Sequence, residues 1–256
     1  MKANWKIALM CVAMLAFVAC EKKQGGGGGG DDPQTEYKQV IQVNDNSLAD
    51  WANVPQDMIV TATCPEDAAL LGLKSVKVYA DKYFIFIIAE PDPKTVTDLS
   101  WTPFHVYIDT DNSDATGGYG DEFKDPNADV LLEGVVYADG APVAWGPAVF
   151  HWWGAVGEGG WIWQDPSVEH SGDDKWGADV GEGELQGTTS QFIDGKFEIQ
   201  IMRELVPTPA GWNEDEIGIG FDIQQSWSSV GVLPLVSPTE DNPYGYTMKL
   251  KVKIDK

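Results

Sequence analysis

Between residues 109 and 133 the chain carries Asp109, Asp111, Asn112, Asp114, Asp121, Glu122, Asp125, Asp129 and Glu133, and only Lys124 opposes them. Hard cations such as Ca²⁺ take about six to eight oxygen ligands from carboxylates and carbonyls. Alternate residues of an extended loop can turn carboxylates to one side. Gly117, Gly118 and Gly120 let backbone carbonyls fold inward. The spacing is not that of an EF-hand, because Asp114 stands at the invariant glycine position and Gly120 at the final glutamate position. The expected Ca²⁺ ligands are Asp109, Asp111, Asn112, Asp114, Asp129 and Glu133. The alternative is a solvated acidic turn whose Asp side chains cap backbone amides.

A second concentration is aromatic. Trp145, Trp152, Trp153, Trp161, Trp163 and Trp176 crowd one stretch, with a Gly157-Glu158-Gly159-Gly160 turn among them. Trp161 and Trp163 share a face if that segment is a strand, since side chains alternate. Flat aromatic rings suit the apolar C–H faces of pyranose sugars, and amides or carboxylates beside them suit hydroxyls. The expected ligand-binding set is Trp152, Trp153, Trp161, Trp163, Gln164 and Asp165. The competing reading has these tryptophans filling the core, because Trp packs a large area.

Catalytic motifs are absent from the sequence. No G-x-S-x-G, H-E-x-x-H or P-loop occurs, and His105, His151 and His170 lack metal-ligand spacing. No spacing singles out a carboxylate pair for glycoside hydrolysis. Neither a haem ligand signature nor a base for Cys64 is recognisable. Cys64 reads as a structural cysteine, and the chain reads as non-catalytic.

These residues must be positioned by strands. Residues 75–79, 83–89, 104–108, 130–137, 148–153, 161–163, 197–201, 217–223 and 248–254 show β-type alternation or β-branched and aromatic runs. Residues 83–89 (YFIFIIA) suit a strand covered on both faces. In the last segment Lys249, Lys251 and Lys253 alternate with apolar residues, as on an edge or outer strand. Gly-, Pro-, Asp- and Asn-rich turns separate the segments. Helical signal is thin: a short turn within 65–73 and a bend within 201–206. This pattern predicts an all-β fold, an antiparallel β-sandwich of immunoglobulin- or jelly-roll-like kind with little helix.

The beginning of the chain reads differently. Lys2 and Lys6 precede an apolar run over 7–19, too short to span a ~30 Å hydrocarbon core. It has the length of a signal-peptide core. Its end, Phe17-Val18-Ala19-Cys20, resembles the lipobox of bacterial lipoproteins, with Phe17 where Leu is usual. Lipid on Cys20 is a durable membrane anchor. Residues 21–36, with glycine throughout 25–30, form a flexible tether of roughly 20–25 Å. Residues 1–20 are thus the signal and lipidated Cys, 21–36 the tether, and 37–256 a single β domain. The expected location is a bacterial cell envelope, at the outer membrane. The net charge is −23, so phosphate backbones are repelled and nucleic acid is an unsuitable partner.

Several segments fall in a familiar order. Residues 47–51 (SLADW), 76–89 around Asp81, 104–111 (FHVYIDTD), 128–134 (ADVLLEG) and 197–201 (FEIQI) are similar to successive pieces of family 9-like carbohydrate-binding modules. Met202 departs from the pattern, standing where proline is usual. The resemblance covers most of 44–254. It implies a β-sandwich of the broad group that includes DOMON-type domains, whose members bind sugars, haem or metal or serve as accessory domains. The expected function is non-catalytic binding of a glycan or polysaccharide through an aromatic edge, with Ca²⁺ shaping the acidic loop. The alternatives are a structural or protein-interaction subunit of an envelope complex and a carbohydrate-active enzyme.

Replacing Cys20 by serine removes the lipid acceptor. The variant is expected in the soluble fraction, with the parent in membranes. Retention of Cys20→Ser in membranes would contradict the anchor.

Overall fold

The structure, a computed structural model, describes residues 37–120, 122–123, 127–152, 176–178, 185–206, 208, 211–247 and 250–256. Cys20 and the tether lie outside them. The strands are β1 (Val60–Thr63), β2 (Leu73–Asp81), β3 (Phe84–Pro91), β4 (Trp101–Asp109), β5 (Val130–Ala138), β6 (Ala141–Pro142) and β7 (Ala148–Trp152). They continue with β8 (Trp176–Ala178), β9 (Thr188–Ile193), β10 (Lys196–Met202), β11 (Glu216–Gln225), β12 (Ser228–Leu233) and β13 (Leu250–Asp255). Among the described residues, helix is limited to 3-10 turns at Ala49–Asn53 and Arg203–Leu205. The fold is all-β, as the alternation predicts.

The strands join in the order β8-β7-β5-β4-β11-β13-β2-β3-β10-β9, with β1 on β2, β12 on β11 and β6 on β5. Two layers result, and β13 links them. It pairs antiparallel with β11, Val252 opposite Ile217, and parallel with β2, Ile254 opposite Ala80. The lysine-bearing face therefore does not mark an edge strand, contrary to the sequence expectation. Lys251 reaches the acidic loop and Lys253 is exposed, Lys249 lies outside the described residues, and both backbone edges of β13 are used in turn.

Period-two alternation explains the packing. Phe104, Val106 and Ile108 of β4 enter the central core with Val76 and Val78 of β2, Ile85 and Ile87 of β3, and Ile219 and Phe221 of β11. Trp145 joins them, fully buried, and its Nε1–H donates to the Phe104 carbonyl at 3.0 Å. The other face of β3 (Phe84, Phe86, Ile88) packs under the N-terminal segment with Ile41, Trp51 and Val54. Residues 83–89 are thus covered on both faces because residues 41–54 lie across them. The Asp50-Trp51 segment is a 3-10 turn. Trp51 is buried, its Nε1–H donating to Glu198 Oε1 at 2.7 Å, with Lys77 Nζ 5.1 Å from its ring centroid. That contact seats a buried carboxylate which would otherwise be costly.

A third cluster lies on the outer face of the second layer: Tyr107, Phe123, Ala128, Leu131, Phe150, Trp152, Val232 and Tyr246. The loops after β4 and β12 fold down over it. This face positions the acidic residues.

Candidate metal centre

Strand β4 ends at Asp109, and β5 begins one residue after Asp129. The two strands are antiparallel neighbours, Ile108 opposite Val130, so the carboxylates at their ends meet. Asp111 follows two residues later and turns to the same side. Asp109, Asp111 and Asp129 bring carboxylate oxygens within 4.8 Å of one another. Asp109 and Asp129 are buried and Asp111 is half-buried. This trio can hold a metal ion.

The loop backbone is built around these oxygens. Asp129 Oδ2 accepts from the Thr110 amide at 2.8 Å and the Thr110 hydroxyl at 3.0 Å. The Ser113 amide reaches Asp109 Oδ1 at 3.2 Å and Asp111 Oδ1 at 3.1 Å. The Thr116 hydroxyl lies 3.0 Å from each Asp111 oxygen. Gly117 has φ +83°, and a Cβ on it would lie 2.5 Å from the Asn127 carbonyl carbon. A side chain there would push the loop off β5.

Charge is concentrated at this centre. Burial, then the nearby Asp111 charge, pushes the Asp129 carboxyl up to about 7 despite the Thr110 donors, and Asp109 adds to the rise. Burial raises Asp109 as well, while Lys251 Nζ at 3.4 Å and the Ser113 amide pull it back. Among the described residues three carboxylates thus face one lysine, a balance that a divalent cation would improve.

The remaining expected ligands have partners of their own. Asn112, in a left-handed conformation at φ 56°, donates to Glu216 Oε1 at 3.3 Å and accepts from Lys251. Asp114 accepts from Asn127 Nδ2. Glu133 lies on β5 four residues past Asp129, two rows along the sheet, with its Oε2 3.2 Å from His105 Nε2. The structure therefore brings together Asp109, Asp111 and Asp129, places Asn112 beside Asp109 on the same Lys251 ammonium, and engages Asp114 and Glu133 with other partners. Asp121 and Asp125 lie outside the described residues.

Of the expected aromatic set, Trp152 is buried at 6 % exposure. The acidic loop covers it: a Cβ on Gly118 would lie 2.2 Å from Trp152 Cε3. Its ring packs beneath the loop and is not the wet platform expected of it. Trp153, Trp161, Trp163, Gln164 and Asp165 lie outside the described residues.

One constellation escaped the sequence reading. Glu133 of β5, His105 of β4 and Asp222 of β11 stand directly opposite one another across three strands. His105 Nδ1 is 3.6 Å from Asp222 Oδ2, and the Tyr107 hydroxyl is 3.4 Å from the same nitrogen. Gln224 Nε2 donates to Asp222 Oδ2 at 2.7 Å. Single polar residues within apolar strands (FHVYI, GFDI) were the available signal. Burial disfavours the imidazolium, but Asp222 and Glu133 outweigh it and hold His105 at about 9. Cys64 is half-buried, and burial together with Asp92 raises its thiol, so it is a weak nucleophile.

The His105 row has a pH signature. Its folded value, about 9, lies above the ordinary 6.5. Its stabilisation is complete below 6.5 and is lost as pH rises through about 9. Denaturant midpoints of the parent are expected to fall across that window. His105→Gln should be less stable at neutral pH and flat across it. A parent whose midpoint does not change would contradict the charged histidine.

No protein-family model matches this sequence, and no curated protein matches it.

Proposed function

We propose that the domain is a non-catalytic carbohydrate-binding sandwich, carried on a bacterial cell envelope by lipid on Cys20, with Ca²⁺ ordering its acidic loop. Asp109, Asp111 and Asp129 support the metal part, since three carboxylates on a glycine-containing loop form the adaptable all-oxygen donor set that Ca²⁺ takes.

The observation that carries the sugar reading is a pair of exposed tryptophans at one end of the second layer. Trp101 opens β4 at 52 % exposure, and Trp227 sits in the β11–β12 turn at 70 %. Strands β4 and β11 are antiparallel neighbours, with Phe104 opposite Ile223 near this end. Gln225 Nε2 donates to the Asp98 carbonyl at 2.7 Å and ties the two segments together. Two wet indole faces flanked by amide and carboxylate groups suit a pyranose and its hydroxyls. The segment containing Trp153, Trp161 and Trp163 is proposed as a second aromatic surface, from its composition alone.

Titration with soluble plant and bacterial polysaccharides tests this. Affinity in the micromolar-to-millimolar range is expected, roughly 4–8 kcal/mol. Trp101→Ala and Trp227→Ala should each weaken binding with little change in denaturant midpoint, because exposed rings contribute little to the core. A parent that binds no member of the panel would overturn the reading.

A further inference from the structure

Arg203 is a buried cation with an unusual set of partners. It lies in the 3-10 turn after β10 at 6 % exposure. Nη1 donates to the Asp81 carbonyl at 2.9 Å and the Lys82 carbonyl at 3.2 Å, and Nη2 donates to the Asn213 carbonyl at 3.2 Å. Its Cζ is 4.8 Å from the Trp212 ring centroid. Among the described residues no carboxylate pairs with it, and its Nε–H has no acceptor.

A guanidinium has five donors. Three hydrogen bonds leave Nε–H and one Nη2–H, two donors on neighbouring nitrogens of the kind a carboxylate takes bidentately. Burial weakens this cation more than the nearby Asp81 and Glu214 charges support it, so an anion in direct contact here relieves a real penalty.

Arg203 also lines a cavity of about 470 Å³ with Lys82, Glu204, Trp212, Glu214, Ile254 and Lys256. That is within the size range of small-molecule sites. Three cations line it against two acids, in a chain whose net charge is −23. Lys256 is engaged by Asp215 at 2.6 Å, which leaves Lys82 and Arg203 to meet an anion. Trp212 and Ile254 supply apolar surface, and Glu204 and Glu214 can accept hydrogen bonds from hydroxyls.

We propose that this cavity binds a small hydroxylated carboxylate, a sugar acid of the uronate type, with its carboxylate on Arg203 and Lys82 and its ring against Trp212 and Ile254. The site is separate from the Trp101–Trp227 pair and does not depend on that surface binding glycan.

Calorimetric titration of the domain with galacturonate, galactose and acetate tests the proposal. Galacturonate is expected to bind, and galactose and acetate to bind much more weakly. Arg203→Gln should lower galacturonate affinity on the order of ten- to a hundredfold. Because Arg203 also ties three carbonyls together, Lys82→Gln provides a second variant at a solvent-facing position, with an expected loss of about threefold and an unchanged denaturant midpoint. Galactose binding as well as galacturonate would overturn the anion site. Acetate binding equally well would overturn the sugar-acid assignment. No galacturonate binding by the parent, or full affinity in Lys82→Gln together with a folded Arg203→Gln, would overturn the proposal as a whole.

Discussion

At the end of β4 the backbone forces like charges together. Asp109 and Asp129 sit on the ends of paired antiparallel strands, and Asp111 turns back to them, so all three carboxylates meet within 4.8 Å. Two unit charges about 4 Å apart repel by about 4 kcal/mol at an effective dielectric near 20. Amides of Thr110 and Ser113 and hydroxyls of Thr110 and Thr116 are the local response. Lys251 of β13 is the long-range one. Proton uptake by Asp129 is the remaining means of relief without a cation, and the raised carboxyl expresses it.

That repulsion bears on more than the site. The same loop covers the outer apolar cluster, with Gly118 against Trp152 and Phe123 against Tyr107 at 5.2 Å between ring centroids. It also reaches the far segment through Asn213, whose amide donates to the Thr110 carbonyl at 2.6 Å and whose side chain donates to the Asp111 carbonyl at 3.2 Å. The Asn213 carbonyl in turn accepts from Arg203. One asparagine therefore sits between the acidic centre and the buried arginine. The antiparallel pairing of β13 with β11 completes the frame: Lys251 stands opposite Gly218 and Gly218 opposite Asp109, which brings Lys251 up to an acid 142 residues earlier in the chain.

The sequence made the strongest strands legible. YFIFIIA over 83–89, FHVYI over 104–108 and the alternating 197–201 and 217–223 segments carry enough apolar periodicity to identify β3, β4, β10 and β11. Strand β9 (TTSQFI) was missed because its residues are mostly polar and half-exposed, as befits the end of the sheet order. Strand β12 (SSVGVL) was missed because a turn with left-handed Ser226 and Trp227 hides its start. Asp109, Asp111 and Asp129 were legible as acids near strand ends. Which acids converge was not, because that depends on strand pairing: Glu133 is only four residues beyond Asp129, yet the β5 register delivers it to His105. Trp152 could not be separated from its aromatic neighbours by composition, and only the approach of Gly118 shows it to be covered. Arg203 gave no local signal, since the carbonyls of Asp81 and Lys82 that it holds are remote in sequence.

The proposed function has a divalent cation, rather than protonation alone, settle the charge at Asp109, Asp111 and Asp129. Amide hydrogen exchange of Thr110, Ser113, Gly118 and Asp129, measured at neutral pH with Ca²⁺ and with a chelator, addresses it most directly. Ca²⁺ is predicted to slow exchange at these amides in the parent, with no such slowing in Asp129→Asn. Identical exchange of the parent in Ca²⁺ and in chelator would contradict the account.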